Sequence, residues 1–322
     1  MKLQPKRQFL KKAFGLALGL SALTLTGAVN AEYNPKLLRI GFQKSASLLT
    51  LLKAEGTLEK QLAPLGIEVK WIEFPAGPQL LEGLNVGAID FGYVGEAPPI
   101  FAQAAGANFV YVGFEEPAPR AEALIVQKDS PIKTVADLKG KKIALNKGSN
   151  VHYLLVKLLE KNGLQYSDIQ PVFLPPADAR AAFERGSVDA WVIWDPYTAA
   201  ARQQIGARVV ADGTGVVNNY AFFLAERKFA SKRPDVIKEL FTVLQQTGQT
   251  INKNPQQAAL KLAPLQGLDP AVVEQTVRNY SNVVKPISDP VIDAQQKLGD
   301  TFYELKLIPK PVKVKDATLP TR

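Results

Sequence analysis

Residues 142–163 read KIALNKGSNVHYLLVKLLEKNG, and they show the unit from which most of the chain is built. The apolar run 142–145 predicts a buried strand, and residues 147–150 predict the short loop that follows it. Ser149 fits the N-cap of a helix, and Asn162-Gly163 fits its end. The helix between them carries an apolar stripe made of Val151, Leu154, Leu155, Leu158 and Leu159. A strand, a short loop and a helix in this order indicate an α/β fold.

The same unit recurs on both sides of this stretch. Further strands are predicted at 37–42, 67–74, 88–94, 121–127, 169–174, 190–194, 209–210 and 219–225. Helices are predicted at 47–62, from Pro78 to Leu84, from Pro98 to Ala104, at 177–184 and 199–204, and over most of the chain after Pro234. The pattern predicts two α/β lobes joined by a two-strand hinge, divided into 32–120 (first lobe), 121–220 (second lobe) and 221–322 (return to the first lobe and C-terminal helices). The Pro- and Lys-rich end of the chain is expected to be exposed.

Composition excludes several classes of function. The 322 residues include no Cys and one His, His152, which excludes disulfides, a thiolate nucleophile, thiolate metal sites and a multi-histidine metal centre. The chain contains no P-loop, no G-x-S-x-G and no H-E-x-x-H. A Ser149–His152 pair on one helical turn would lack an orienting carboxylate. We therefore predict no enzyme, no catalytic residue, no cofactor and no metal.

The N-terminal residues 1–31 have the features of an export signal. Five basic residues precede an uncharged run at 13–28, and Val29-Asn30-Ala31 fits a cleavage site; an uncleaved membrane anchor is the alternative. Residues 6–11 resemble a twin-arginine motif with Lys in the first position, which leaves the export route open. Removal of residues 1–31 lowers the net charge from +9 to +4, with the remaining charges scattered, so no nucleic-acid partner is expected. We expect a protein that is free in the periplasm.

Four loops share one design, in which small or polar residues lie between the end of a strand and the start of a helix. They are Gln43-Lys44-Ser45, Ala76-Gly77-Pro78-Gln79, Gly95-Glu96-Ala97-Pro98 and Lys147-Gly148-Ser149-Asn150. Each leaves backbone N–H groups and the positive end of a helix dipole free to bind an anion. Loops of this kind occur in all such folds, but four of them in two lobes predict an anion site in a common cleft.

Aromatic residues follow a strand of the second lobe. Trp194 and Tyr197 flank Asp195-Pro196 and fit a rigid wall for an apolar ligand tail, with core packing around a proline turn as the alternative. Trp191 is expected in the core. His152 is predicted to face either the cleft or solvent. Glu96 would either cap its own helix or meet a positive group on the ligand.

Six stretches of the chain resemble the periplasmic aliphatic sulfonate-binding proteins that feed ABC importers. They are residues 39–44, 73–79, 98–107, 130–140, 176–183 and 188–197. The resemblance covers nearly all of the chain after residue 31 and implies the type II periplasmic binding fold, no enzymatic activity and a permease in the inner membrane as partner. Related receptors bind taurine, nitrate, bicarbonate or thiamine precursors. Residues 92–96 depart from the sulfonate-binding pattern, which leaves the preferred ligand tail open.

A sulfonate fits the predicted anion site because it stays ionised and offers three acceptor oxygens. Another small anion (taurine, nitrate, bicarbonate, an aryl sulfonate or a sulfate ester) is the alternative ligand, and an exported enzyme is the alternative class. A pyrimidine synthase of the same broad fold would need a cysteine-rich motif that the chain lacks. A monomer is expected. The predicted ligand-binding residues are Gln43, Gly77, Pro78, Gln79, Gly95, Glu96, Ser149, Asn150, His152, Trp194, Asp195, Tyr197 and Tyr220.

Overall fold

The computed structural model describes residues 34–319. The predicted signal peptide, residues 1–31, lies outside the described residues. Within 34–319, eleven strands form two sheets, and no helix there is long and apolar enough to cross a membrane. Strands and helices are numbered here in chain order.

The larger sheet has six strands in the order β11-β4-β10-β3-β1-β2. Its strands are β1 (Leu37–Phe42), β2 (Glu68–Glu73), β3 (Phe91–Gly95), β4 (Phe109–Glu115), β10 (Ala221–Glu226) and β11 (Val284–Pro286). Strand β1 pairs in parallel with β2 and β3, whereas β10 runs antiparallel between β3 and β4. We call this sheet and its helices the first lobe.

The smaller sheet has five strands in the order β7-β6-β8-β5-β9. Its strands are β5 (Glu122–Val126), β6 (Lys142–Leu145), β7 (Gln170–Phe173), β8 (Ala190–Trp194) and β9 (Arg208–Asp212). We call this sheet and its helices the second lobe. Because all five strands fall within one continuous part of the chain, we propose that the predicted boundaries 121 and 220 delimit this lobe.

The helices cover the faces of the two sheets. In the first two thirds of the chain they are α1 (Ser47–Glu55), α2 (Thr57–Leu62), α3 (Gly77–Asn85), α4 (Pro98–Ala104), α5 (Asn150–Lys161), α6 (Pro176–Glu184) and α7 (Tyr197–Ile205). The C-terminal third supplies α8 (Arg227–Lys232), α9 (Pro234–Lys253), α10 (Pro255–Gln266), α11 (Pro270–Asn279) and α12 (Asp289–Glu304). The first lobe has an apolar core on each face of its sheet, and the second lobe has its own core.

Two details differ from the sequence prediction. The helix predicted at 47–62 is two helices, because Gly56 takes a left-handed conformation (φ +58°) and ends α1. The leucine periodicity continues through the break, which is why the sequence suggested one helix. The C-terminal tail is not simply exposed, since Ile308, Val312 and Val314 are buried in the first-lobe core beside α4 and α12.

The chain crosses between the lobes twice, and the two crossings are hydrogen-bonded to each other. The Ala118 N–H donates to the Asn218 carbonyl at 3.1 Å, and Asn219 Nδ2 donates to the Ala118 carbonyl at 2.8 Å. Gly213 N–H donates to the Pro119 carbonyl at 2.9 Å. This pair of crossings is the hinge on which one lobe can move relative to the other.

Candidate ligand-binding site between the lobes

A small cavity lies where the two lobes and the hinge meet. Its lining residues are Gln43, Ser45, Tyr93, Gly95, Asn150, Trp194, Asn219, Ala221 and Tyr280. Its volume is about 30 Å³, which is room for about two water molecules. A ligand larger than this can enter only if the lobes move apart.

Two helices begin at this cavity without a capping side chain. The starts of α1 and α5, beside the lining residues Ser45 and Asn150, have no side-chain hydrogen bond from the N-cap residue. At α5, Ser149 occupies the predicted N-cap position, but its hydroxyl donates to the Asn146 carbonyl at 2.7 Å. The side chains of Glu226, Asn254 and Asp269 cap α8, α10 and α11, whereas α2, α4, α6, α7, α9 and α12 also lack a capping side chain. The cleft helices therefore leave main-chain donors available to an anion.

Gln43 and Tyr93 form the first-lobe wall of the cavity. Gln43 Nε2 donates to the Tyr93 carbonyl at 3.1 Å, which fixes the amide at the end of β1. The Tyr93 hydroxyl donates to Glu115 Oε2 at 2.7 Å. Burial raises the pKa of Tyr93 well above its usual value and also raises the pKa of Glu115. The phenol is therefore neutral and held in one orientation.

Asn150 links both lobes and the hinge. Its Nδ2 donates to Glu122 Oε2 at 2.6 Å and to Asn219 Oδ1 at 2.9 Å. A Cβ on Gly95 would lie only 2.8 Å from Asn150 Oδ1, so the glycine permits the first turn of α5 to approach β3. Asn219 has φ +51°, a left-handed conformation that asparagine tolerates better than most residues.

Aromatic rings form the second-lobe wall. Trp194 lies at the end of β8 with 5% of its surface exposed, and it lines the cavity as a flat apolar surface. Tyr197 packs edge-on against it, with ring centroids 6.3 Å apart. Trp191 is fully buried, as predicted.

Asp195 connects this wall to the C-terminal helices. Its Oδ2 accepts from Asn279 Nδ2 at 2.7 Å, and its Oδ1 accepts from the Ala199 N–H at 3.0 Å. The Tyr280 hydroxyl donates to the Asp195 carbonyl at 3.4 Å. Burial raises the pKa of Asp195 to about 6. Asp195 therefore holds Asn279 and Tyr280 in place, but it does not itself line the cavity.

His152 lies outside the cavity in an aromatic cluster between the lobes. The Gly148 N–H donates to its Nδ1 at 3.3 Å, so the neutral ring carries its proton on Nε2, which lies 2.9 Å from the Tyr166 hydroxyl. Its ring packs against Phe101 and Phe302 of the first lobe. Burial lowers the pKa of His152 to about 4. Its surroundings are those of a structural histidine.

The remaining predicted residues do not line this cavity. Gly77 and Pro78 begin α3, where a Cβ on Gly77 would clash with Pro98, and Gln79 has a buried Oε1 without a hydrogen-bond partner. Tyr220 and Glu96 line a second cavity of about 300 Å³.

The Glu96 carboxylate does not cap its own helix, and its contact with a positive group on the ligand stays a prediction. Its Oε2 accepts from the N–H of Tyr220 in the hinge, at 3.0 Å, instead of capping α4. Burial raises the pKa of Glu96 to about 7.

Several lining residues were not among the predicted ones. Tyr93, Asn219, Ala221 and Tyr280 line the cavity, as does Ser45, which the sequence placed only within a loop. Tyr93 belongs to a strand whose pattern indicates burial alone. Tyr280 follows α11 and carries no local signal, because only the packing of distant helices brings it to the cleft. Within residues 34–319, no group of three or more acidic, histidine or cysteine side chains could hold a metal ion.

Comparison with known proteins identifies the family. A family model described as "NMT1/THI5 like" matches residues 63–258. A protein of Escherichia coli (strain K12) named "Putative aliphatic sulfonates-binding protein" is 45% identical over 310 residues, covering 96% of this chain and 95% of the relative. The chain belongs to the NMT1/THI5-like family.

Two solved structures with 45% sequence identity share the fold of this chain. The alkanesulfonate-binding protein SsuA from Xanthomonas axonopodis pv. citri, bound to MOPS, is 45% identical with a TM-score of 0.84, covering 89% of this chain and 99% of that one. The periplasmic aliphatic sulphonate binding protein SsuA from Escherichia coli is also 45% identical, with a TM-score of 0.82 and coverage of 90% and 94%. The predicted fold class and the resemblance to sulfonate-binding proteins are confirmed. These relatives are binding proteins, which agrees with the prediction that the chain is not an enzyme.

Proposed function

We propose that this protein is the solute receptor of an ABC import system and captures aliphatic sulfonates between its two lobes. The observation that carries the proposal is the cavity itself, which combines uncapped helix starts from both lobes with the Trp194 wall. The similarity to sulfonate-binding proteins over nearly the whole chain supports the same ligand class.

The chemistry of a sulfonate matches this arrangement. Its three oxygens accept hydrogen bonds and carry no proton at biological pH, so neutral donors on several sides bind it best. Six charge-assisted hydrogen bonds of about 1.5 to 3 kcal/mol each give about 9 to 18 kcal/mol, which exceeds the roughly 8 kcal/mol of a micromolar complex. The surplus offsets the costs of association and lobe closure. The wall at Trp194 then contacts the alkyl tail.

The site residues of the proposal are those of the cavity together with the predicted residues next to it. Gln43, Gly95, Asn150 and Trp194 are predicted residues that line the cavity. Gly77, Pro78, Gln79 and Ser149 belong to the helix starts. Asp195 and Tyr197 support the wall.

The deciding experiment is a thermal-shift screen followed by calorimetry. Alkanesulfonates should raise the melting temperature and bind with 1:1 stoichiometry, without chemical change of the ligand. Taurine, aryl sulfonates, sulfate, nitrate and bicarbonate are the comparison ligands. Stabilisation by nitrate or bicarbonate alone would contradict the ligand class, and turnover lost in Ser149→Ala or His152→Ala would contradict the receptor class.

Location and partners belong to the same proposal. A periplasmic receptor should appear in the periplasmic fraction without residues 1–31 and should bind its permease in the closed form. Small-angle scattering should show a smaller radius of gyration on addition of ligand, and light scattering should give the mass of a monomer. A protein retained in the cytoplasm would contradict this part of the proposal.

A further inference from the structure

Two buried carboxyl groups belong to opposite lobes next to the candidate site. Glu96 follows β3 of the first lobe and Glu122 begins β5 of the second, and they are 3% and 0% exposed. Each uses Oε2 as a hydrogen-bond acceptor, while each Oε1 is buried without a partner. An ionised carboxylate buried in this way has its hydration replaced at one oxygen only.

The two groups are joined through the hinge. Glu96 accepts from the main chain of Tyr220 at 3.0 Å. Glu122 accepts from Asn150 at 2.6 Å, and the same amide of Asn150 donates to Asn219 at 2.9 Å. Because Asn219 and Tyr220 are adjacent, the closed arrangement holds both carboxyls against one segment of the hinge. Separation of the lobes would move Glu96 away from Glu122 and admit water to both.

Within residues 34–319, the charges that act on Glu96 and Glu122 include no cation. Tyr153 and Tyr220 line the same cavity as Glu96, and the charge of Glu122 acts on Tyr280. The negative charges of Glu115 and Asp195, two further buried acids, also act on Tyr280.

The shifts in the pKa values of the two carboxyls agree with this geometry. Burial raises the pKa of Glu96 to about 7. Burial and the charge of Glu96 raise the pKa of Glu122 well above its usual value. A bound anion in the neighbouring cavity would disfavour ionisation of both groups still further.

We propose that closure of the lobes on an anionic ligand requires the Glu96–Glu122 pair to hold a proton, so that the receptor takes up about one proton with each anion. This inference rests on the proposed capture of an anion. Separation of the lobes would hydrate both carboxyls and favour their ionised form, whereas the closed form buries them without a neighbouring cation among the described residues. Proton uptake removes the like-charge repulsion across the cleft.

Calorimetry with ethanesulfonate between pH 6 and pH 8 tests the inference, since this probe stays ionised throughout. As pH rises, the dissociation constant should increase by up to about tenfold per pH unit. Titrations in two buffers of different ionisation enthalpy should give uptake of about one proton. The double variant Glu96→Gln/Glu122→Gln keeps acceptors for the Tyr220 N–H and for Asn150 without a titrating group, and it should bind with little dependence on pH. Glu116→Gln is the control, because Glu116 is half-buried near the hinge and paired with Lys285. It should keep the wild-type slope.

A second measurement needs no ligand. A carboxyl whose pKa is raised on folding stabilises the protein most at low pH, and that stability is lost as pH rises from about 4.5 towards the folded pKa. Between pH 5 and pH 8 the melting temperature of the wild type should therefore fall by several degrees relative to Glu122→Gln.

The outcomes separate the two proposals. Ethanesulfonate binding that is independent of pH and of buffer would overturn the proton inference and leave the receptor function intact. If neither ethanesulfonate nor another sulfonate binds, the receptor function fails. In that case, identical pH profiles of melting for wild type and Glu122→Gln would overturn the inference as well, whereas a difference would support the buried protonated pair.

Discussion

Asn150 of the second lobe lies directly against Gly95 of the first, with only 2.8 Å between its Oδ1 and the position that a Cβ on Gly95 would occupy. The contact joins the first turn of α5 to the end of β3, and both residues line the candidate cavity. Closure of the cleft therefore depends on the absence of a side chain at position 95.

Gly95→Ala should hold the lobes apart without disrupting either of them. The added methyl group meets Asn150 only in the closed form, and overpacking of this kind costs about 1 to 3 kcal/mol. Calorimetry should show that the free energy of sulfonate binding is weaker by the same amount. A melting temperature close to that of the wild type would exclude misfolding, and unchanged affinity would show that this contact is not part of the closed state.

Trp194→Ala should remove the wall that contacts the ligand tail. The loss of apolar contact predicts weaker alkanesulfonate binding by about 1.5 to 3 kcal/mol, measured by calorimetry. Trp71→Ala is the control, since its indole lies on β2 and donates to Glu59, outside the cavity. Equal losses in both variants would argue against a wall at Trp194.

His152 should remain neutral far below the usual range for histidine. Burial lowers its pKa to about 4, and as the single histidine of the chain it gives one set of imidazole resonances. NMR should therefore show no titration of the ring between pH 8 and pH 5. A midpoint near 6.5 would mean that the cluster with Phe101 and Phe302 is open in solution.

The same pKa shift makes the folded protein sensitive to acid. A histidine with a lowered folded pKa contributes stability that is complete above about 6.5 and is lost as pH falls towards about 4. The full effect is about 3 kcal/mol, and urea unfolding at pH 7 and pH 5 measures part of it. The loss between these two pH values should be smaller in His152→Asn, which isolates the imidazole from the buried acids that respond in the opposite direction. Equal losses in the two proteins would contradict the assignment.

Asn279→Asp should destabilise the contact between α11 and the second lobe. The substitution would place a second carboxylate beside Asp195, whose Oδ2 now accepts from Asn279 at 2.7 Å. Loss of a buried hydrogen bond together with like-charge repulsion predicts a decrease of about 1 to 3 kcal/mol in the free energy of unfolding at pH 8. Asn85→Asp, at the exposed end of α3, is the matched control and should change stability by a few tenths of that amount.

Local patterns in the sequence were sufficient for much of the architecture. The strand, loop and helix at 142–163 and the aromatic pair at the end of β8 are encoded within short windows, so periodicity and capping residues reveal them. The end of α1 at Gly56 was missed because the leucine spacing continues across the break. Because capping residues lie within such short windows, local signals were sufficient to locate the helix starts at the cleft.

The parts of the site that the sequence did not reveal depend on long-range packing. Tyr280 reaches the cavity because α11 packs against α7 through Val272, Ala199 and Ala200. Glu96 turns towards the hinge because the main chain of Tyr220, 124 residues later, offers it a donor. No spacing rule connects such distant positions, and only the folded arrangement shows them.

The position of β10 between β3 and β4 has a consequence for biosynthesis. A growing polypeptide that has not yet reached residue 221 lacks the central strand of its larger sheet, while all five strands of the smaller sheet have already been made. The second lobe can thus complete its fold first. The first lobe stays incomplete until more than two thirds of the chain has left the ribosome.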